Sequence, residues 1–143
     1  VDRIVPKDED PGALDANVPE YIDRMLQTPE MHQMKVDFVA GTAALNRRSV
    51  RMFQKPFYEA TPAQRDELLG LFRDSRQGTG EENYYSLLVT LTLEGFLGDP
   101  SYGGNKDKVG WAFVGFEKVD STKADPKPGY DGTSHLHHMH GGN

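Results

Sequence analysis

Four histidines and a methionine stand within six positions at His135-Leu-His137-His138-Met139-His140. Imidazole nitrogens suit zinc, copper and nickel, and either side-chain type can serve as an axial ligand to haem iron. A native metal site also needs a shell that orients its rings. The flanking Gly132-Thr-Ser and Gly141-Gly142 do not supply one. The same rings can instead hydrogen-bond or stack on a partner, face water, or bring His135 or His137 beside a partner's cofactor cleft as a titratable group.

Other recognisable chemistry is missing from the chain. There is no cysteine, which excludes disulfides, thiolate zinc, iron–sulfur ligation and c-type haem attachment within it. No Gly-x-Gly-x-x-Gly stands between a strand and a helix, because Gly78-Thr79-Gly80 is too short and sits between helical patterns. Neither a nucleophile elbow nor a helical His-Glu-x-x-His occurs. With 22 acidic residues, chance carboxylate pairs are expected and single out no catalytic base. The sequence thus assigns no catalytic and no cofactor-binding residue. A net charge of −6 argues against nucleic acid and anionic membranes as partners, and no run of about twenty apolar residues is present to span a bilayer.

The elements that would carry any site read as helices. Residues 1–16 form an acidic, proline-containing lead-in with Ile4-Val5 as its apolar anchor. Asn17 is then a candidate N-cap, with Pro19 in the first turn and Val18, Tyr21, Ile22, Met25 and Leu26 at helical spacing. Thr28-Pro29-Glu30 repeats the start signal, and Met31, Met34, Phe38, Leu45 and Met52 trace one long or twice-broken helix ending before Lys55-Pro56. Thr61 with Gln64, and Thr79 with Glu82, have the spacing of capping boxes. The first opens a helix bearing Leu68, Leu69, Leu71 and Phe72. The second opens a segment from Tyr84 to Leu97 that is apolar nearly all round, the mark of a central helix. Within it Val89-Thr-Leu-Thr-Leu93 also has a strand's period, and length decides for helix. Tyr84-Tyr85 and Met25, Met31 and Met34 read as core.

Between Thr92 and Trp111 the glycines crowd: Gly95, Gly98, Asp99-Pro100, Gly103-Gly104-Asn105 and Gly110. A helix that merely ended would need one glycine or asparagine. This density implies a backbone folded through successive tight turns. Tyr102, Gly103, Gly104, Asn105 and Trp111 are the candidate partner interface, since Tyr and Trp dominate interface hot spots and glycines allow close backbone approach. The competing reading is self-contained packing, with glycines in positive-φ turns, Asn105 bonded to its own loop and Trp111 plugging the bundle.

Two blocks carry a family resemblance: Ile4-Val5-Pro6 through Asp8-Glu9-Asp10, Pro11-Gly12-Ala13 and Tyr21-Ile22-Asp23-Arg24, then Thr92-Leu-Glu-Gly-Phe through Asp99-Pro-Ser-Tyr-Gly-Gly-Asn105 and Gly110-Trp111. They resemble subunit 3 of gluconate 2-dehydrogenase, over about residues 1–116. The resemblance implies the non-catalytic small subunit of a sugar or polyol dehydrogenase complex. Its large subunit, of the glucose–methanol–choline type, would carry FAD, and a cytochrome c subunit with haem c would take the electrons. It also implies a periplasmic location, reached with the large subunit by twin-arginine export. No export signal is readable in the chain, which begins at Val1. Relatives of such subunits accompany glucoside 3-dehydrogenases too, so the resemblance leaves the substrate open.

The expected architecture is mainly α: a compact bundle of four to five helices with extended N-terminal and C-terminal arms. Residues 1–116 form the helical domain with its N-terminal arm, and 117–143 an extended, histidine-containing tail. Poor in apolar residues, that tail cannot fold by itself and suits an arm wrapped over a neighbour. The alternative function is a metal-binding or redox-relay protein using His135, His137, His138 and His140.

Overall fold

The computed structural model describes residues 1–116, which form five α-helices and no strand. They are α1 (Val18–Leu26), α2 (His32–Phe53), α3 (Pro62–Arg73), α4 (Gly80–Leu97) and α5 (Val109–Val114). The mainly helical bundle expected from the sequence is the fold observed.

The helix starts follow local chemistry. At α3 the Thr61 hydroxyl accepts the Gln64 N–H at 3.2 Å while the Gln64 carboxamide accepts the Thr61 N–H at 3.0 Å, a complete capping box. At α4 the Thr79 hydroxyl accepts the Glu82 N–H, but the Glu82 carboxylate takes the Gly78 N–H instead of returning to Thr79. Gly78, at φ 81°, turns its amide toward that carboxylate. Asn17 lies before α1 in the left-handed region, and its side chain caps nothing in the helix, reaching Gly103 O instead. Only a short 3₁₀ turn, Pro29–Met31, precedes α2, which then runs unbroken for 22 residues. It stops where Gln54 turns left-handed, ahead of Pro56, and the Ser49 hydroxyl holds the departing chain by donating to Lys55 O at 2.9 Å.

α4 is the axis of the bundle. Its Leu91 and Phe96 join Ala13, Ala16, Val18, Tyr21, Ile22 and Leu26 in one core cluster. Its Tyr84 and Leu88 join Leu45, Leu68, Leu69 and Phe72 in a second. Fully burying a side chain such as Phe72 or Leu68 contributes about 2–3 kcal/mol each. The Tyr84 ring meets Phe72 edge-on at 6.1 Å and Phe38 at 5.6 Å. Gly41 of α2 lies against that ring, so closely that a methyl group there would overlap it. Met25 and Met34 pack half-buried against the first cluster and Tyr85 against the second, while Met31 is half-buried but joins neither. Leu71, grouped with the helix's apolar residues by sequence, is exposed on α3.

Residues 1–16 carry neither helix nor strand and fold back onto the bundle as turns. Ala13 N–H donates to Val5 O at 2.9 Å, and the Asp15 carboxylate accepts from Gly12 N–H and from Lys7. The segment is tied to α3 by the two-pronged Arg3–Asp66 pair, both contacts 2.7 Å, and by Arg65 to Asp2 at 3.1 Å.

Candidate functional site

The end of α4 leaves carbonyls that no later helical turn can satisfy. Residues 98–111 wrap back over that end and supply donors. The Asn105 N–H donates to Gly95 O at 2.7 Å, the Asn105 Nδ2 to Gly98 O at 2.8 Å, and the Trp111 Nε1 to Leu97 O at 2.7 Å. The Asn105 Oδ1 accepts the Gly110 N–H at 2.8 Å, so one wholly buried carboxamide closes the loop in both directions. Lys106 N–H to Ala16 O and Asn17 Nδ2 to Gly103 O stitch the same loop to the segment before α1.

This closure accounts for the glycine density. A side chain at Gly104 would overlap the Gly95 carbonyl, and one at Gly110 the Phe96 carbonyl. Gly103 sits at φ 102°, against the Arg24 side chain. Asn105, Asp107 and Lys108 also adopt left-handed backbone, each costing about 1–2 kcal/mol. Asp99 starts the loop by accepting the Ser101 N–H at 2.8 Å, and that bond, ahead of the Ser101 hydroxyl, holds its carboxyl below the usual carboxylate range.

The five candidate interface residues therefore divide. Gly104 and Asn105 face inward, and Gly103 is half-buried. Tyr102 presents a ring 65% exposed. Trp111 is half-buried, its indole N–H committed to Leu97, with the Lys108 ammonium 5.8 Å from the ring centre. Sequence reasoning missed the apolar surface beside them. Leu93 and Leu97, one turn apart on α4, are exposed, as are Phe113, Val114 and Phe116 at the α5 end. Phe113 rests edge-on against Phe96 at 6.0 Å, and Phe116 against Trp111 at 5.1 Å. The hydrophobicity of Trp111–Phe116 was a visible signal, though not its outward face.

A groove of about 790 Å³ lies on another side, between the N-terminal turns, α1 and α2, walled by Ile22, Leu26, Phe38 and Val39. Thr42 and Tyr84 also line it, their hydroxyls 3.1 Å apart. Burial pushes the Tyr84 hydroxyl above its ordinary pKa, an effect partly opposed by the Thr42 bond. Burial, together with the neighbouring Glu94 carboxylate, pushes Tyr21 up to about 12.

No group of three or more His, Asp or Glu is placed to hold a metal ion among the described residues. His135, His137, His138 and His140, together with the wrapping arm, lie outside those residues. Nor is any described helix long and apolar enough to cross a membrane. The family model for gluconate 2-dehydrogenase subunit 3 matches residues 1–117, almost the same span as the described fold. No curated protein and no solved structure matches the chain.

Proposed function

The chain belongs to the gluconate 2-dehydrogenase subunit 3 family, and from that membership we propose that it is the non-catalytic small subunit of a periplasmic, FAD-dependent sugar or polyol dehydrogenase complex. Its work is mechanical: it covers apolar surface on the flavoprotein large subunit, stabilises the flavin-loaded fold and accompanies it through twin-arginine export. A cytochrome c subunit carrying haem c receives the electrons. Tyr102 and Trp111 belong to the surface that meets the partner, while Gly103, Gly104 and Asn105 hold that surface in shape. The carrying observation is the family match from residue 1 to residue 117, which takes in every described helix.

Co-expression of the tagged chain with an FAD-containing dehydrogenase large subunit tests this reading. The expected result is a stable complex with a flavin spectrum, together with loss of soluble, exported flavoprotein when the chain is omitted. A flavoprotein that folds, loads FAD and reaches the periplasm equally well without the chain overturns it.

A further inference from the structure

We propose that the outward face of α2 pairs antiparallel with the same face of a second copy of this chain, about a two-fold axis that passes Ala43. The pairing stands apart from the accessory role, because it concerns how copies of the chain meet one another.

α2 runs for 22 residues, yet only Leu45 and Ser49 along it are buried. On the side turned away from those two, Val36, Val39, Ala40, Ala43 and Val50 lie within an arc of about 100°, at 3.6 residues per turn. All five are exposed, and Val39 is 57% uncovered. An arc of that width is what a helix turns toward a packing partner. The bundle occupies the opposite face.

The order of groups along this face identifies the occupant. Reversed about Ala43, Val36 meets Val50, Ala43 meets its own copy, and Asp37 falls between Arg47 and Arg51. By helical spacing Asp37, Arg47 and Arg51 stand on one flank of α2, and an antiparallel two-fold sets like flank against like flank. Asp37 accepts a neutral hydrogen bond from Gln33 at 3.0 Å. Neither Arg47 nor Arg51 has an acidic partner among the described residues, although Arg48 between them takes Glu81. Each copy therefore supplies the carboxylate that the other's arginines lack, twice per pair. A different partner requires no such mirrored order. Residues 117–143 do not match the face either, since Val119, Tyr130, Leu136 and Met139 do not recur at three and four over successive turns.

Alanine at the axis lets the two helices approach to about 8 Å. The contact from residue 36 to residue 50 is about 21 Å long. Two helices meeting over that length bury less than the roughly 1,200 Å² of a standard interface, so the dimer is reversible and concentration-dependent.

The chain has no cysteine, so single cysteines report the register in the full chain without background. Ala43→Cys is expected to oxidise to a linked dimer, because residues facing across the axis fall within the roughly 7 Å Cα separation that a disulfide spans. Leu71→Cys, exposed on α3, is expected to stay unlinked. Chains carrying Val36→Cys and chains carrying Val50→Cys should link to each other when mixed and not when kept apart. In sedimentation the unsubstituted chain should gain mass with concentration. Asp37→Arg is expected to weaken that association about tenfold, and Asp37→Arg/Arg47→Asp/Arg51→Asp to restore it, with helix content unchanged by circular dichroism. A chain that stays monomeric at every concentration, with Ala43→Cys linking no faster than Leu71→Cys, overturns the pairing. So does a dimer that ignores the charge reversal and links equally through Leu71→Cys, or one that appears only after residues 117–143 are removed.

Discussion

The Asn105 Oδ1 accepts the Gly110 N–H at 2.8 Å from a wholly buried position, and the other end of the same carboxamide donates to Gly98 O. One side chain thereby ties both limbs of the loop to the end of α4. Asn105→Ala removes both bonds and places alanine at φ 45°. The expected loss is about 3–4 kcal/mol, from two unsatisfied polar groups and left-handed strain. Asn105→Asp retains the Gly110 bond but turns an oxygen toward the Gly98 carbonyl, so it too should destabilise. Urea unfolding followed by circular dichroism measures both, and a change under about 1 kcal/mol for Asn105→Ala would contradict the closing role.

Gly41 and Gly70 give opposite signs for the same substitution. A methyl group at Gly41 enters the Tyr84 ring, whereas at Gly70 the nearest atom is the mobile end of Arg73 at 3.8 Å. Gly41→Ala is expected to cost about 1–3 kcal/mol by overpacking, despite alanine's better helix propensity. Gly70→Ala is expected to gain up to about 1 kcal/mol. Thermal midpoints of the two variants check the pair, and equal shifts would refute the close α2–α4 approach.

These residues show what the sequence made legible. The Thr61–Gln64 box, the run of α4 and its Tyr84, Leu88, Leu91 and Gly95 face are set by short-range chemistry, and all appear in the fold. Thr28-Pro29-Glu30 reads as a start signal, and it opens a 3₁₀ turn directly ahead of an α2 that is one long helix and not a broken one. The loop was visible as a surplus of glycine. Its logic was not, because Asn105 bonds Gly95 and Gly98, ten and seven positions back at the end of α4 and just past it, and helix-end satisfaction has no local periodicity. For the same reason Gly104 could not be told from a contact glycine until the Gly95 carbonyl was seen beside it.

The pH response should narrow stability from both sides. Asp66 is held below the usual carboxylate range by Arg3, Asp15 by the Gly12 N–H and then Lys7, and Asp99 by the Ser101 N–H. Each loses its proton more readily when folded, so each favours the fold above its unfolded pKa of about 4, and that advantage disappears as pH falls through the lower folded values. Tyr21 behaves oppositely. Its folded pKa of about 12 exceeds the unfolded 10.0, so its contribution is complete below 10.0 and is lost as pH rises toward about 12. Unfolding midpoints across pH should show both declines. Asp66→Asn is expected to soften the acid limb, and Tyr21→Phe, which also loses the 3.2 Å bond to Glu94, to soften the alkaline one. An alkaline limb unchanged by Tyr21→Phe would remove Tyr21 as its cause.

Residues 117–143 should matter to assembly and not to folding. They follow Phe116, where both the described bundle and, within one residue, the family match end. Their sequence offers little to bury, so removing them is expected to leave the bundle's unfolding free energy within about 0.5 kcal/mol of the full chain's. As an arm laid across a neighbour, the same residues would strengthen the complex, so the truncated chain co-expressed with the dehydrogenase subunit should dissociate faster. Equal dissociation and equal activity would rule out the wrapping arm. Metal analysis of the full complex separates this reading from the histidine chemistry. The expected content is well below one metal per chain, unchanged when His135, His137, His138 and His140 are replaced by alanine, because the flanking glycines of the sequence offer no side chains to orient ligating rings. Stoichiometric zinc, copper or nickel lost on that replacement would instead make the tail a metal site.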